Sequence, residues 1–309
     1  MSSDKGLVDR EDFQGSKFPD LMVLYPDEFE QLYHAATSLS VKANEVTIRE
    51  GQQGESLYLV KSGQFRVYKR HEDNLYEVGS INPGDLFGEA SVLYQSTAGA
   101  EVRAIDNCEL YVIPSKVVHE VFESNERFLR ATTQLAERRA AASALAVNPI
   151  FSTLPMAVRE VALFNSKFLT VKEGDVIINE GDEASYVFIL LAGEVEVTLQ
   201  HPRQLGSHIV ITTRKSGDEL GEIAVITGYP HGATVTAVTP VRLLSINNKS
   251  IVAWSGRYSD FAYALYGQVY RKLKENRKIL NDIIDDKEAR RLTTNNIPAF
   301  EDFKAKNRL

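Results

Sequence analysis

The chain contains an internal repeat, and this feature restricts its fold more than any other. Residues 50–70 read EGQQGESLYLVKSGQFRVYKR and align without gaps with residues 180–200, EGDEASYVFILLAGEVEVTLQ. Residues 84–104 read GDLFGEASVLYQSTAGAEVRA and align with residues 217–237, GDELGEIAVITGYPHGATVTA. The offset between the copies grows from 130 to 133, so the second copy has three extra residues in between. Such a repeat predicts two copies of one domain in tandem.

Each copy shows the alternation of apolar and polar residues that is typical of β-strands. The alternation is found at 56–60 and 63–68, and again at 186–191 and 194–199, with glycines at the segment ends. Short strands with frequent glycine turns predict a small antiparallel barrel or jelly roll in each copy. The three extra residues fall in a turn-like segment, where we expect a hairpin loop.

Helices are predicted around the two β-rich segments. Residues 116–146 are rich in Ala, Leu, Glu and Arg and contain no Gly or Pro, which predicts one or two helices between the domains. A further helix is expected at 155–164, and a long one within 258–292. We therefore predict a mainly β chain with flanking α-helices. The expected divisions are a disordered N-terminus at 1–17, domains at 18–145 and 146–292, and a polar tail at 293–309.

The last predicted helix carries an apolar stripe at spacings of four, four, seven and four residues. Its members are Leu265, Val269, Leu273, Leu280 and Ile284. A stripe of this kind either docks on the barrel or forms a homodimer with a second subunit, and periodicity alone does not separate the two.

Composition excludes several classes of protein. A formal net charge of −7 argues against a nucleic-acid partner, and no apolar run is long enough to span a membrane. The N-terminal 20 residues lack the apolar core of a signal peptide. The single cysteine, Cys108, excludes an internal disulfide framework and is expected to be a small buried hydrophobe. We expect a cytoplasmic protein.

Two acidic residues in the repeat point to a ligand site. Glu89 and Glu222 each follow a glycine, and a carboxylate there can accept two hydrogen bonds from a vicinal diol such as that of ribose. The alternative is that each glutamate only caps a short helix, since an acid in a first turn is favoured by the helix dipole. The two glutamates occupy equivalent positions in the two copies of the repeat, which favours the ligand site over the helix cap.

These residues resemble those of tandem cyclic-nucleotide-binding proteins, in a layout similar to the regulatory subunit of cAMP-dependent protein kinase. That family's phosphate-binding cassette opens approximately with FGELAL, which FGEASV and LGEIAV match, and NPIF at 148–151 matches the start of its second domain. The resemblance covers residues 18–281 and implies two eight-stranded jelly-roll barrels with helical subdomains. It also implies a nucleotide-type ligand and no metal or other cofactor.

The resemblance places a ligand site in each domain. In the first domain it assigns Phe87, Gly88, Glu89, Ala90, Ser91, Ala98, Gly99 and Ala100 to the site. In the second domain it assigns Leu220, Gly221, Glu222, Ile223, Ala224, His231, Gly232 and Ala233. The family's base-capping residue, from a later helix, would be one of Trp254, Tyr258 and Tyr266.

The family's cyclic-phosphate arginine is missing from both copies. Nine residues after each glutamate stand Ala98 and His231, and one residue later stand Gly99 and Gly232. Loss of one partner of a desolvated charge pair costs roughly 2–5 kcal/mol, so we expect weaker cyclic-nucleotide binding or a different ligand. His231 could replace part of the arginine's charge, because a phosphate would favour its protonated form. Ala98 offers no such replacement.

We therefore predict a regulatory protein that binds a nucleotide-type ligand and passes the signal to a partner protein by helix rearrangement. The ligand would be cAMP, cGMP, a nucleoside or a cyclic dinucleotide. The alternative is a ligand-independent scaffold with degenerate pockets. An enzyme is not predicted, because no nucleophile–base pair, metal cluster or phosphate-binding loop is visible. A transcription factor is not predicted, since it would need a helix-turn-helix after a barrel. The family's pseudosubstrate Arg-Arg is absent from residues 1–20, so kinase inhibition of that type is not predicted either.

Overall fold

The chain divides into two units, Met1–Ser143 and Ala144–Leu309, each with one copy of the repeat. The structure, a computed structural model, describes residues 8, 10–11, 13–71, 73–201, 204 and 206–284. The tail predicted at 293–309 lies outside the described residues.

The first unit contains eight strands and the first helices of the chain. The strands are β1 (Thr37–Val41), β2 (Val46–Ile48), β3 (Ser56–Ser62), β4 (Phe65–His71), β5 (Asn74–Ile81), β6 (Leu86–Phe87), β7 (Glu101–Ala104) and β8 (Cys108–Pro114). The helices are α1 (Pro26–Ala35), α2 (Glu89–Tyr94), α3 (Ser115–Ser124) and α4 (Glu126–Val147), of which α4 continues into the second unit.

The second unit repeats this order. Its strands are β9 (Lys167–Val171), β10 (Val176–Ile178), β11 (Tyr186–Ala192), β12 (Glu194–Gln200), β13 (His208–Lys215), β14 (Glu219–Leu220), β15 (Thr234–Ala237) and β16 (Val241–Asn247). Its helices are α5 (Met156–Phe164), α6 (Glu222–Thr227), α7 (Asn248–Ser255) and α8 (Ser259–Asn281).

Strand pairing gives each unit two four-stranded antiparallel sheets. In the first unit the sheet orders are β1-β8-β3-β6 and β2-β7-β4-β5. In the second they are β9-β16-β11-β14 and β10-β15-β12-β13, which is the same topology. Sequence-distant strands are neighbours in both sheets, as in a jelly roll. The predicted fold class of two tandem β domains with flanking helices is therefore confirmed.

Apolar side chains from both sheets form the core of each unit. In the first unit Val60, Phe65 and Leu110 are almost completely buried, and in the second Leu190 and Val195 are. Successive side chains of a strand point to opposite faces, and adjacent residues at the centres of β3 and β11 are both buried, so these two strands are covered on both faces. Cys108 is buried, as predicted, and burial together with the adjacent Asp106 raises the pKa of its thiol to about 11.

Two described residues of the segment expected to be disordered, 1–17, make ordered contacts with the rest of the first unit. Phe13 is fully buried and its ring packs against Phe18 and Tyr111, with centroids 5.9 and 5.2 Å away. Arg10 also pairs with Glu30 of α1. An isolated aromatic residue in a polar segment carries no periodic signal, so the sequence pattern missed this contact.

The apolar stripe of the last helix packs inside its own unit. Leu265, Val269 and Leu273 are buried on α8, and Leu280 packs with Leu199 and other apolar residues of β12 and β13. Of the two alternatives that the periodicity left open, docking on the barrel is the one observed. The side chains of the stripe are therefore buried within their own unit.

Truncation of Leu280 should reveal how strongly α8 is held. Because this side chain is fully buried, we expect Leu280→Ala to lower the free energy of unfolding by about 2–5 kcal/mol. Tyr270→Ala on the exposed side of the same helix should change it by less than about 0.5 kcal/mol. Urea unfolding measures both variants. A Leu280→Ala protein with unchanged stability but a smaller assembly in size-exclusion chromatography would show that the stripe serves a dimer instead.

Candidate functional site

A glycine in the left-handed conformation positions the key glutamate of each unit. Gly88 has φ 85° and Gly221 has φ 86°, and the following residues, Glu89 and Glu222, begin α2 and α6. A Cβ at Gly88 would lie 2.7 Å from the Ser56 carbonyl oxygen. The Gly-Glu step is therefore a backbone requirement of the turn, and it directs the carboxylate inward in both copies.

Both glutamates are buried and each pairs with a cation. Glu89 is 4% exposed and Glu222 is 2% exposed. Arg139 Nη1 of α4 lies 2.9 Å from Glu89 Oε2, and Lys272 Nζ of α8 lies 2.8 Å from Glu222 Oε1. A buried carboxylate is costly to ionise without such a partner. In each unit the ion pair joins the helix after the barrel to the turn that carries the glutamate.

The two cations occupy the same position of the repeat. Each lies 50 residues after its glutamate, and each also donates to a carbonyl oxygen three residues before that glutamate. Arg139 donates to Leu86 O and Lys272 to Glu219 O, both over 2.8 Å. Neither cation is among the site residues predicted from the sequence. Continuation of the 133-residue offset past the strands aligns Arg139 with Lys272, but it also aligns Arg138 with Arg271, so the sequence alone does not select the cation that pairs with the glutamate.

The second unit adds another carboxylate to its ion pair. Glu219 Oε1 lies 2.8 Å from Lys272 Nζ, where the first unit has the apolar Leu86. Glu219 Oε2 also accepts a hydrogen bond of 2.8 Å from Asn148 Nδ2. Lys272 therefore lies between two buried carboxylates and is itself only 6% exposed.

The charges within this group change the pKa values of its members. Burial disfavours the ammonium of Lys272, but the carboxylates of Glu222 and Glu219 outweigh it and raise the lysine's pKa. Burial also disfavours ionised Glu219, but the Lys272 charge and the hydrogen bonds from Lys272 and Asn148 lower that carboxyl's pKa. For Glu222, burial and the nearby Glu219 charge prevail over Lys272 and raise the pKa. Glu222 is thus the carboxylate that is held less firmly as an anion.

A cavity of about 120 Å³ opens onto Glu222 in the second unit. Its walls are mainly apolar, and they include side chains of the sheets and of α8. The structure brings together here all eight residues that the resemblance assigned to the second site, Leu220, Gly221, Glu222, Ile223, Ala224, His231, Gly232 and Ala233. Arg214, Lys272, Leu273 and Asn276 also line the cavity and were not predicted. None of Trp254, Tyr258 and Tyr266 is among its lining residues.

The two positions at which the resemblance expects an arginine, Ala98 and His231, make equivalent backbone contacts. Ala98 N donates to Gln52 O over 2.7 Å, and His231 N donates to Asp182 O over 2.8 Å. The two residues are 8% and 9% exposed, so both side chains are enclosed. Burial lowers the pKa of His231, against the opposing effect of Asp182, so the imidazole is neutral at pH 7 in this structure.

The predicted residues of the first site are divided between a core and a surface loop. Phe87 and Ala98 belong to an apolar cluster that also contains Ile81. The Phe87 ring stacks on Tyr58 with centroids 4.8 Å apart. Ser91 is buried, Ala90 and Ala100 are half-buried, and Gly99 is exposed, with its carbonyl oxygen 3.1 Å from Lys69 Nζ. Ala98 of the first unit thus lies in an apolar cluster, whereas the equivalent His231 lines the cavity of the second unit.

Comparison with known proteins identifies the family. The family described as "Cyclic nucleotide-binding domain" matches residues 38–125 and 168–255, which is more than half of the chain. The chain therefore belongs to the cyclic nucleotide-binding domain family, with two copies of the domain. Its ion-paired glutamates lie inside both matched regions.

Curated relatives extend the similarity over most of the chain. The "cAMP-dependent protein kinase regulatory subunit" of Mycosarcoma maydis is 27% identical over 276 residues, which cover 82% of this chain and 50% of that protein. The protein of the same name from Yarrowia lipolytica is 29% identical, over 76% of this chain and 55% of its own length. The chain thus spans about half the length of the curated relatives it matches.

Among solved structures, the regulatory domain of Toxoplasma gondii PKA with cAMP matches with a TM-score of 0.39 and 23% identity. The match covers 82% of this chain and 90% of that domain. Within residues 8–284, apart from the few positions not described, no helix is long and apolar enough to cross a membrane. Over the same residues no group of three or more His, Cys, Asp or Glu side chains is arranged to hold a metal ion.

Replacement of Lys272 by methionine should destabilise the second unit. The change leaves two buried carboxylates without their cation, so we expect the free energy of unfolding at pH 7.5 to fall by about 3–5 kcal/mol. The loss should shrink as the pH is lowered to 5, because protonation removes the unpaired charges. Urea unfolding at both pH values measures the effect. Lys274→Met, an exposed lysine on the same helix, is the control; an equal loss in both variants would contradict the prediction.

The neutral state of His231 should make the second unit less stable in mild acid. The folded state binds its proton less readily than the unfolded state, whose imidazole has a pKa of about 6.5. Stability is therefore complete above pH 6.5 and decreases as the pH falls through the lower folded-state value. We expect His231→Gln to reduce this pH dependence in urea unfolding between pH 7.5 and 5. His208→Gln, at an exposed position, should leave the dependence unchanged.

Proposed function

We propose that this protein is a non-enzymatic regulatory protein whose second domain binds a nucleotide-type ligand and transmits binding through α8. The observation that carries the proposal is the buried contact between Lys272 Nζ and Glu222 Oε1. It connects the carboxylate that would accept the ligand's ribose hydroxyls to the helix that would respond. Membership of the cyclic nucleotide-binding domain family supports this choice of ligand class.

Glu219 provides a way for Glu222 to exchange partners. A carboxylate that accepts two hydrogen bonds from a ribose diol has fewer lone pairs left for Lys272. Lys272 would then remain paired with Glu219 Oε1, which is also 2.8 Å away. The buried ammonium is therefore not left without a counter-charge while Glu222 binds the ligand.

Ligand entry would require α8 to move. The cavity of about 120 Å³ is smaller than the roughly 300–1,000 Å³ of typical ligand pockets. Leu273 and Asn276 line it from α8, so a nucleoside-sized ligand would displace this part of the helix. A ligand that favours the displaced arrangement would shift the equilibrium by its difference in affinity for the two states.

We propose that the first domain contributes less to ligand binding. Ala98 and Ile81 lie in the same apolar cluster, so a phosphate there would lose its water without gaining a cation from those positions. For this domain the ligand-independent scaffold is the second candidate function. The ion pair of Glu89 with Arg139 would then hold α4 against its own barrel permanently.

Partner and location also belong to the proposal. The curated relatives are named as regulatory subunits of a cAMP-dependent protein kinase, which supports a protein partner for this chain. A kinase catalytic subunit is the class of partner that these names suggest. We propose a cytoplasmic protein that acts without nucleic acid, in keeping with its net charge of −7.

Calorimetry with adenosine, guanosine, cAMP and cGMP tests the proposed site. We expect at least one of these compounds to bind, and Glu222→Gln to weaken that binding by about tenfold to a hundredfold, because a charge-assisted hydrogen bond contributes about 1.5–3 kcal/mol. Lys272 keeps Glu219 as a partner in this variant, so the fold should persist. Glu89→Gln is the matched control and should leave the affinity of the second site unchanged.

Hydrogen exchange of α8 separates a sensor from a scaffold. The bound ligand should increase amide exchange around residues 272–276, and Glu222→Gln should abolish the increase at the same ligand concentration. No heat from any of the four compounds at millimolar concentration would reject the sensor for these ligands and favour the scaffold. Binding without any change in exchange of α8 would contradict transmission through this helix.

A further inference from the structure

We propose that Arg214 of β13 is the anion-binding residue of the second pocket and receives the phosphate of a nucleotide there. This inference rests on the proposed function, since it assumes that the pocket binds a nucleoside-type ligand at Glu222. The new elements are that the ligand carries a phosphate and that the cation which binds this phosphate, Arg214, comes from a strand. The cassette position that the family resemblance points to holds His231 instead.

Arg214 lines the same cavity as Glu222. It lies on β13 opposite Val195 of β12, whose side chain is completely buried. Lys215, the next residue, is exposed and pairs with Glu194 outside the cavity. Because neighbouring residues of a strand face opposite sides, Arg214 is on the inner side and Lys215 on the outer side.

The guanidinium of Arg214 is available to a ligand. Across the described residues no hydrogen bond, ion pair or ring contact involves this side chain, although it is half-buried. The other permanent cation of the cavity, Lys272, is already bound to Glu219 and Glu222. An arginine is always charged, and its planar group can donate two parallel hydrogen bonds to a phosphate. A half-enclosed cation without a counter-charge favours an anionic ligand.

The first repeat shows that the fold does not need a cation at this position. Phe65 of β4 pairs with Ile81, and the equivalent Val195 of β12 pairs with Arg214. Ile81 is 2% exposed and belongs to the apolar core. An apolar residue thus satisfies the structural role in one copy. The arginine in the other copy calls for a different explanation, which a bound anion provides.

The remaining surroundings of the cavity fit a nucleotide. Apolar side chains such as Val197, Leu199 and Leu273 can cover a base, and Glu222 can accept the sugar hydroxyls. The charged or titratable groups that line the cavity with Arg214 are Glu219, Glu222, His231 and Lys272. Lys272 is bound to both carboxylates, so a phosphate that enters the cavity would find in Arg214 a cation without a direct partner.

The test compares each nucleoside with its phosphorylated forms. Calorimetry is carried out with adenosine, 5′-AMP and cAMP, and with guanosine, 5′-GMP and cGMP, on the intact chain. We expect a phosphorylated form to bind at least about 30-fold more tightly than its parent nucleoside, as one charge-assisted contact would provide. Arg214→Gln should reduce this ratio to about one and leave the affinity for the nucleoside within about twofold.

Three controls make the outcome decisive. Lys215→Gln removes one positive charge from the adjacent position on the outer face and should preserve the ratio. Arg214→Lys should restore part of it, because the charge remains while the bidentate geometry is lost. Nucleoside affinity serves as the check that each variant is folded.

Each remaining outcome overturns the inference in a recognisable way. If the nucleosides bind as tightly as their phosphates, only the role of Arg214 fails. If His231→Gln removes the advantage of the phosphate while Arg214→Gln does not, the cation is His231. If none of the six compounds binds, the proposed function fails and the inference fails with it.

Discussion

The ion pair between a buried glutamate and a cation of the following helix is the interaction on which each site depends. Neither charge is stable alone in the protein interior, so the glutamate-bearing turn and the helix are held in one arrangement. In the first unit this connects Glu89 with Arg139, and in the second Glu222 with Lys272. Any ligand that binds the carboxylate must act on the same contact, which makes the site and the helix thermodynamically linked.

The two copies have kept this ion pair but differ around it. The second copy has Glu219 where the first has Leu86, and Arg214 where the first has Ile81. Both changes place charged groups around the cavity of the second unit, while the equivalent positions of the first unit are apolar. The backbone is therefore duplicated, but the electrostatic environment is not. This difference supports the proposed division of roles, with ligand binding in the second domain and a mainly structural role for the first.

Much of the fold and part of the site could be predicted from the sequence. The strands were predictable because alternation and glycine turns are local, and the helices at 116–146 were predictable because Gly and Pro are absent there. The Gly-Glu steps were recognisable because they occupy equivalent positions in both copies of the repeat. Arg139 and Lys272 were missed because their partners lie 50 residues away, and burial of Phe13 was missed because a single aromatic residue has no period.

The sequence by itself determined that one β-rich domain occurs twice, that both copies have the glutamate, and that neither has an arginine nine residues after it. These are matters of residue type, order and spacing, which a repeat makes visible. Only the tertiary structure decided which distant cations neutralise the glutamates, that the stripe of α8 packs on its own barrel, and that Arg214 faces the second cavity. Those contacts depend on how strands and helices from distant parts of the chain pack together, and local patterns carry no information about that packing.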